Sequence, residues 1–144
     1  MTSSNIPPAS GHGYEQIEHT ADLALRIYGR DLHELLANAA YAMFSQLADL
    51  QRIALSVRRE VEVEGTDYES LLVNWLNELL YLHETRGEVY STFDIHALSP
   101  QHLQATVRGE HSQEIYTIIK GATYHDLAIN KTTEGYTATV VFDV

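Results

Sequence analysis

Between Leu32 and Leu47 the apolar side chains fall at Leu32, Leu35, Leu36, Ala39, Ala40, Met43, Phe44 and Leu47. Steps of three and four residues place them on one stripe, which predicts an amphipathic helix. Asp31 stands as its N-cap, with Glu34 three residues on as the partner that reaches back. A second stripe, Tyr68, Leu71, Leu72, Trp75, Leu76, Leu79 and Leu80, predicts a helix from about Asp67 to Glu84. Thr66 and Glu69 read as its capping box, and Gly87 ends it.

Elsewhere the period is two. Leu23, Leu25 and Ile27 alternate with Ala24, Arg26 and Tyr28, and Val61 and Val63 alternate with glutamates. The same pattern recurs at Phe93-Ile95-Ala97, Leu103-Ala105-Val107 and Ala138-Val140-Phe142. Such strands bury one face, and Ser99-Pro100 turns two of them into a hairpin. The expected fold is α+β: a single-domain two-layer sandwich, two amphipathic helices on a mainly antiparallel or mixed sheet of six to seven strands. Residues 1–13, small, polar and broken by Pro7, Pro8, Gly11 and Gly13, read as a disordered N-terminal tail, and residues 14–144 as the domain.

Composition narrows the function. Of 144 residues none is cysteine, which excludes disulfides, thiolate zinc sites and cysteine nucleophiles and suits a reducing cytoplasm. No apolar run approaches the ~18 residues that a membrane span needs, and the first residues lack the basic and apolar regions of a secretory signal. Nine Lys and Arg against twenty Asp and Glu give a net charge of −11. A polyanion would be repelled, so no direct nucleic-acid binding is expected, and any role on RNA would run through another protein.

Phosphate-binding glycine loops, a nucleophile elbow and the helical His-Glu-x-x-His zinc motif are all absent. Three polar clusters remain. In Glu18-His19-Thr20-Ala21-Asp22, Asp22 precedes an apolar strand and either emerges as a carboxylate at the sheet's end or closes a polar turn. At the terminus, Asp143 and the α-carboxylate of Val144 offer hard oxygens that suit Ca²⁺, Mg²⁺ or Mn²⁺, or else form a solvated tail. In Lys120-Gly121-Ala122-Thr123-Tyr124-His125-Asp126, read as a strand, Thr123 and His125 share one face; His125 is a metal-ligand candidate or a structural residue.

His19-Thr20-Ala21-Asp22, the helix Leu72 to Glu84, Lys120 to His125 and the closing Phe142-Asp143-Val144 stand in one order over Tyr14 to Val144. In that order and spacing they resemble the archease family. The resemblance implies a protein cofactor rather than a self-sufficient enzyme. Its implied partner is the RtcB-type RNA-splicing ligase, which uses GTP and Mn²⁺ and passes through a guanylylated histidine. Archeases promote that guanylylation and repeated turnover in tRNA splicing or RNA repair. The family pattern also implies a divalent cation (Ca, Mg or Mn) held by Asp22, Asp143 and the Val144 carboxylate. Lys120 matches a functionally implicated lysine, with His19 and His125 as possible neighbours. The stretch 109–117 looks shorter than the family's loop there, and Gly121 replaces a common alanine. Two other classes stay open: a chaperone-like module with an exposed apolar patch, and a metal-dependent hydrolase using Asp22, Asp143 and His19 or His125.

Overall fold

A strand with one apolar face needs a second layer to bury it, and both helices serve that end. The computed structural model describes residues 13–17 and 22–144. Its elements are β1 (Tyr14–Ile17), β2 (Leu23–Gly29), α1 (Leu32–Leu47), β3 (Val57–Glu64), α2 (Tyr68–Arg86), β4 (Glu88–Ser99), β5 (His102–His111), β6 (Gly121–Ala122), β7 (Ile129–Thr132) and β8 (Gly135–Asp143).

The α+β class forms as expected, with two helices packed on antiparallel strands in one domain. The described strands number eight rather than six to seven, and they divide into two sheets. In one, β2 and then β1 flank β8 on one side, while short β6 and β7 share its other edge. The other runs β3-β5-β4. Alternation reports that a strand has a buried face but not which neighbour completes its ladder, so this division is not legible locally. At two and four residues, β6 and β7 are too short to show a period. Of the tail assigned to residues 1–13, only Gly13 lies within the described residues, and its carbonyl accepts the Tyr28 N–H.

Asp31 caps α1 by accepting the Glu34 N–H at 2.8 Å, and Glu34 reaches back to the Arg30 N–H at 2.9 Å. The box at α2 differs from the Thr66–Glu69 expectation. Asp67 is the N-cap, accepting the Ser70 N–H at 2.8 Å, and the Ser70 hydroxyl oxygen accepts the Asp67 N–H at 3.1 Å. An aspartate is at least as good a cap as the threonine before it, so the helix starts one residue later. Glu69 instead accepts the Ile129 N–H. Gly87 closes α2 with φ of 67°, a left-handed conformation that glycine adopts without strain.

Both helices face one core. Leu35, Leu36, Ala39, Met43, Phe44 and Leu47 of α1 meet Leu71, Leu72, Trp75, Leu76 and Leu79 of α2 there, all fully buried. The Trp75 indole N–H donates to the Leu36 carbonyl at 2.9 Å, which ties the helices together. A charge is buried as well. Glu88, at the start of β4, is 0% exposed, accepts from the Arg59 guanidinium at 2.9 and 2.6 Å and from the Tyr90 hydroxyl at 2.6 Å. Among the described residues no helix is long and apolar enough to cross a membrane.

Candidate functional site: the carboxylate end of the β2–β8 pair

Strand β2 pairs with β8 in the register Leu23↔Phe142, Leu25↔Val140 and Ile27↔Ala138. All six side chains point toward the helices, and Phe142, Val140, Ala138, Leu25 and Ile27 are buried. Asp22 stands one residue before Leu23, and Asp143, the last residue of β8, stands one residue after Phe142, so both lie at this end of the pair. Asp143 is exposed at the end of β8, and Asp22 is half-buried just before β2. The β2–β8 pairing brings two positions that are 121 residues apart in the chain to the same end of the sheet. The apolar alternation that buries Leu23 and Phe142 is what fixes that register.

On the other edge of β8, Gly121 pairs with Asp143 and the Lys120 N–H donates to the Asp143 carbonyl at 2.7 Å. The third cluster therefore arrives beside the same strand end. Its expected strand stops at Ala122. The Thr123 N–H and hydroxyl both donate to the Val141 carbonyl, and Tyr124 to Leu127 then forms a turn closed by the Leu127 N–H on the Tyr124 carbonyl. Asp126 takes a positive φ of 52° in this turn. Thr123 and His125 accordingly do not share a strand face. His125 sits exposed on the turn with its ring 3.2 Å from the Asp126 carboxylate. His19 lies outside the described residues.

Sequence period places Asn77 on the polar flank of α2 and gives it no role. The structure gives it one. Its carboxamide donates to the Ala122 carbonyl at 3.2 Å and accepts the Ala122 N–H at 2.8 Å. Strand β6 lies at the sheet edge, so those backbone groups face away from β8 and would otherwise lack partners. Asn77 satisfies both and thereby holds the Lys120–Ala122 segment against Asp143. An asparagine beside an apolar helical stripe is only a weak local signal, because solvent-facing asparagines look the same. Asn77→Ala removes both bonds, together about 1–3 kcal/mol. Amide exchange at Lys120 and Ala122 is expected to speed up by about tenfold or more, while the buried α2 amides keep their protection; hydrogen-exchange NMR reads both.

The Asp143 carboxylate is exposed and engages no described side chain, and Val144 is 45% exposed. Two aspartates with a terminal carboxylate make an all-oxygen donor set, the kind that hard divalent cations take. Among the described residues no three His, Asp or Glu side chains gather as a metal cluster. Asp22 and Asp143 are the side-chain carboxylates at this strand end that could hold a divalent cation.

Comparison with known proteins decides the family. The model of the Archease protein family (MTH1598/TM1083) matches residues 14–144. The chain belongs to the archease family. It is 37% identical over 145 residues to protein archease of Methanosarcina mazei, covering 95% of this chain and 99% of that one. Protein archease of Pyrococcus abyssi is 37% identical over 129 residues, covering 85% and 91%. Among solved archease-family structures, the solution structure of Methanobacterium thermoautotrophicum protein 1598 superposes with a TM-score of 0.75 at 31% identity, covering 92% and 99%. The crystal structure described as an archease, possible chaperone, from Thermotoga maritima superposes with a TM-score of 0.66 at 26% identity, covering 90% and 96%. The archease match takes in all three polar clusters and α2.

Proposed function

We propose that this archease-family protein activates an RNA-splicing ligase in the cytoplasm. It would promote guanylylation of the ligase histidine and so allow repeated turnover in tRNA splicing or RNA repair. The observation that supports this reading is the β2–β8 register, whose Leu23↔Phe142 pair leaves Asp22 and Asp143 as the flanking residues at one end of the sheet, with Val144 next in the chain. Asp22, Asp143 and the Val144 carboxylate are the residues that would hold a divalent cation. When bound, that cation would supply positive charge for orienting phosphate oxygens, the templating role of metal catalysis. The chain's own part is to present this tip, with Lys120 beside it, to a ligase whose basic surface attracts the net charge of −11.

The test mixes the protein with the ligase, GTP, Mn²⁺ and an excess of broken RNA, and counts ligations per ligase. The parent protein is expected to raise the count well above one. Asp22→Ala, folded by circular dichroism, is expected to leave it near the ligase-alone value. Full stimulation by that variant would sink the reading. A chaperone role, the words attached to the Thermotoga maritima structure, finds support in exposed apolar side chains such as Tyr116 and Ile118. It separates cleanly, because suppression of aggregation would survive the loss of Asp22.

A further inference from the structure

Seven large apolar side chains are exposed among the described residues, and five of them, Ile115, Tyr116, Ile118, Tyr124 and Val144, lie in 115–124 or at the chain's end. Tyr116 and Ile118 are each 68% exposed. Scattered apolar residues on a surface are ordinary, but a concentration of them marks an interaction site. The segment that carries three of them has no regular structure, yet its path is fixed. The Ser112 N–H donates to the Gly87 carbonyl, the Tyr116 N–H to the Leu47 carbonyl at 2.8 Å, and the Lys120 N–H to the Asp143 carbonyl at 2.7 Å. Ile119, 6% exposed, points inward and anchors the stretch to the core. A loop held every fourth residue displays Ile115, Tyr116 and Ile118 outward rather than letting them collapse. Such preorganisation lowers the ordering cost of binding.

We infer that this Ile115–Ile118 strip, continuing to the exposed Val144 tip, is the docking surface for the ligase, a protein with an apolar seat bordered by basic side chains. This rests on the proposed activator reading and adds where the partner sits. Charge selects the occupant. Exposed Glu114 adjoins the strip in the chain, exposed Asp143 is held next to Lys120 by the Lys120 N–H, exposed Arg86 adjoins Gly87, whose carbonyl accepts the Ser112 N–H, and the chain as a whole carries a net charge of −11. A second copy of the chain would set one net charge of −11 against another. RNA and anionic membranes are repelled for the same reason. A basic-rimmed protein gains from both the apolar contact and the field. Five side chains make a small contact, of the size used by transient complexes that must release to let an enzyme turn over.

The experiment measures binding of the purified ligase from the same organism by calorimetry and by surface-immobilised kinetics. The parent protein is compared with a Tyr116→Ser, Ile118→Ser double variant and with Gln104→Ala, an exposed position on β5. Both side chains are solvent-facing, so the double variant keeps its fold, which amide-exchange protection of α1 and α2 checks. The double variant is expected to bind about tenfold more weakly or worse and to need proportionally more protein for the same ligase stimulation. Gln104→Ala should match the parent, and the parent's association rate should fall as salt rises. Equal binding by the double variant overturns the surface while leaving the activator reading intact. Salt-independent association overturns the basic-rimmed partner. A parent that binds no ligase at all overturns the activator reading and this inference together. Two further results overturn it: self-association of the parent that the double variant abolishes, or suppression of unrelated protein aggregation that depends on Tyr116 and Ile118.

Discussion

Replacing Asp143 with alanine is expected to leave the folded state intact and to remove cation binding and ligase stimulation together. The fold survives because the side chain is exposed, while Phe142 beside it stays buried and the Lys120 N–H bonds the Asp143 backbone carbonyl, which alanine keeps. Binding fails because one of two side-chain carboxylates is gone. The loss should exceed the roughly 10–100-fold that changes beyond the ligand shell cost. Thermal unfolding gives an independent reading. A cation present at about 100 times its dissociation constant stabilises the parent by about 2.7 kcal/mol. Mn²⁺, Mg²⁺ or Ca²⁺ should therefore raise the parent's midpoint, and a chelator should reverse that rise. The variant should respond to neither. A parent whose midpoint ignores all three cations would refute the carboxylate site whatever the variants do.

Glu88→Ala is expected to cost about 2–4 kcal/mol and to flatten the protein's stability on the acid side. Glu88 is fully buried and accepts charge-assisted hydrogen bonds from Arg59 and a bond from Tyr90. Removing it strands the buried Tyr90 hydroxyl, at about 1–3 kcal/mol. The Arg59 side chain is 35% exposed and can turn to water, so the full penalty of a broken buried pair does not apply. The Arg59 guanidinium outweighs burial and holds the Glu88 carboxyl below its ordinary value of 4.5. Burial first, and then the bond to Glu88, push the Tyr90 hydroxyl well above its usual range. A carboxyl whose folded value is lowered binds its proton more readily when unfolded. Its contribution is complete above about pH 5 and is lost as pH falls from there through the lowered folded value. Denaturant unfolding across that window should show the parent losing more stability than the variant. Parallel pH profiles would show that Glu88 does not titrate with unfolding.

Much of this architecture is local information. The steps of three and four from Leu32 to Leu47 and from Tyr68 to Leu80 define helices without any neighbour, since an amphipathic stripe is a property of one segment. The left-handed Gly87 and the hairpin turn after Ser99 are equally local. Thr66 and Asp67 show the limit, for two adjacent cap-forming residues leave a one-residue ambiguity that only backbone geometry resolves.

The chemistry-bearing end divides the same way. Residue order and spacing place Asp22, Lys120 and Asp143 in a recognisable family pattern, and the sequence alone carries the net charge of −11. Tertiary structure decides the rest. Asp22 and Asp143 come to one end of the same sheet only because β2 pairs with β8, and pairing partners are chosen by the whole core rather than by either strand. The carboxamide clasp of Asn77 on Ala122 depends on β6 lying at a sheet edge beside α2. The outward display of Tyr116 and Ile118 depends on backbone bonds to Leu47 and Asp143, from distant parts of the chain. A hydrophobic period records which side of a segment avoids water. It cannot record which other segment does the covering, and that choice is what puts these groups together.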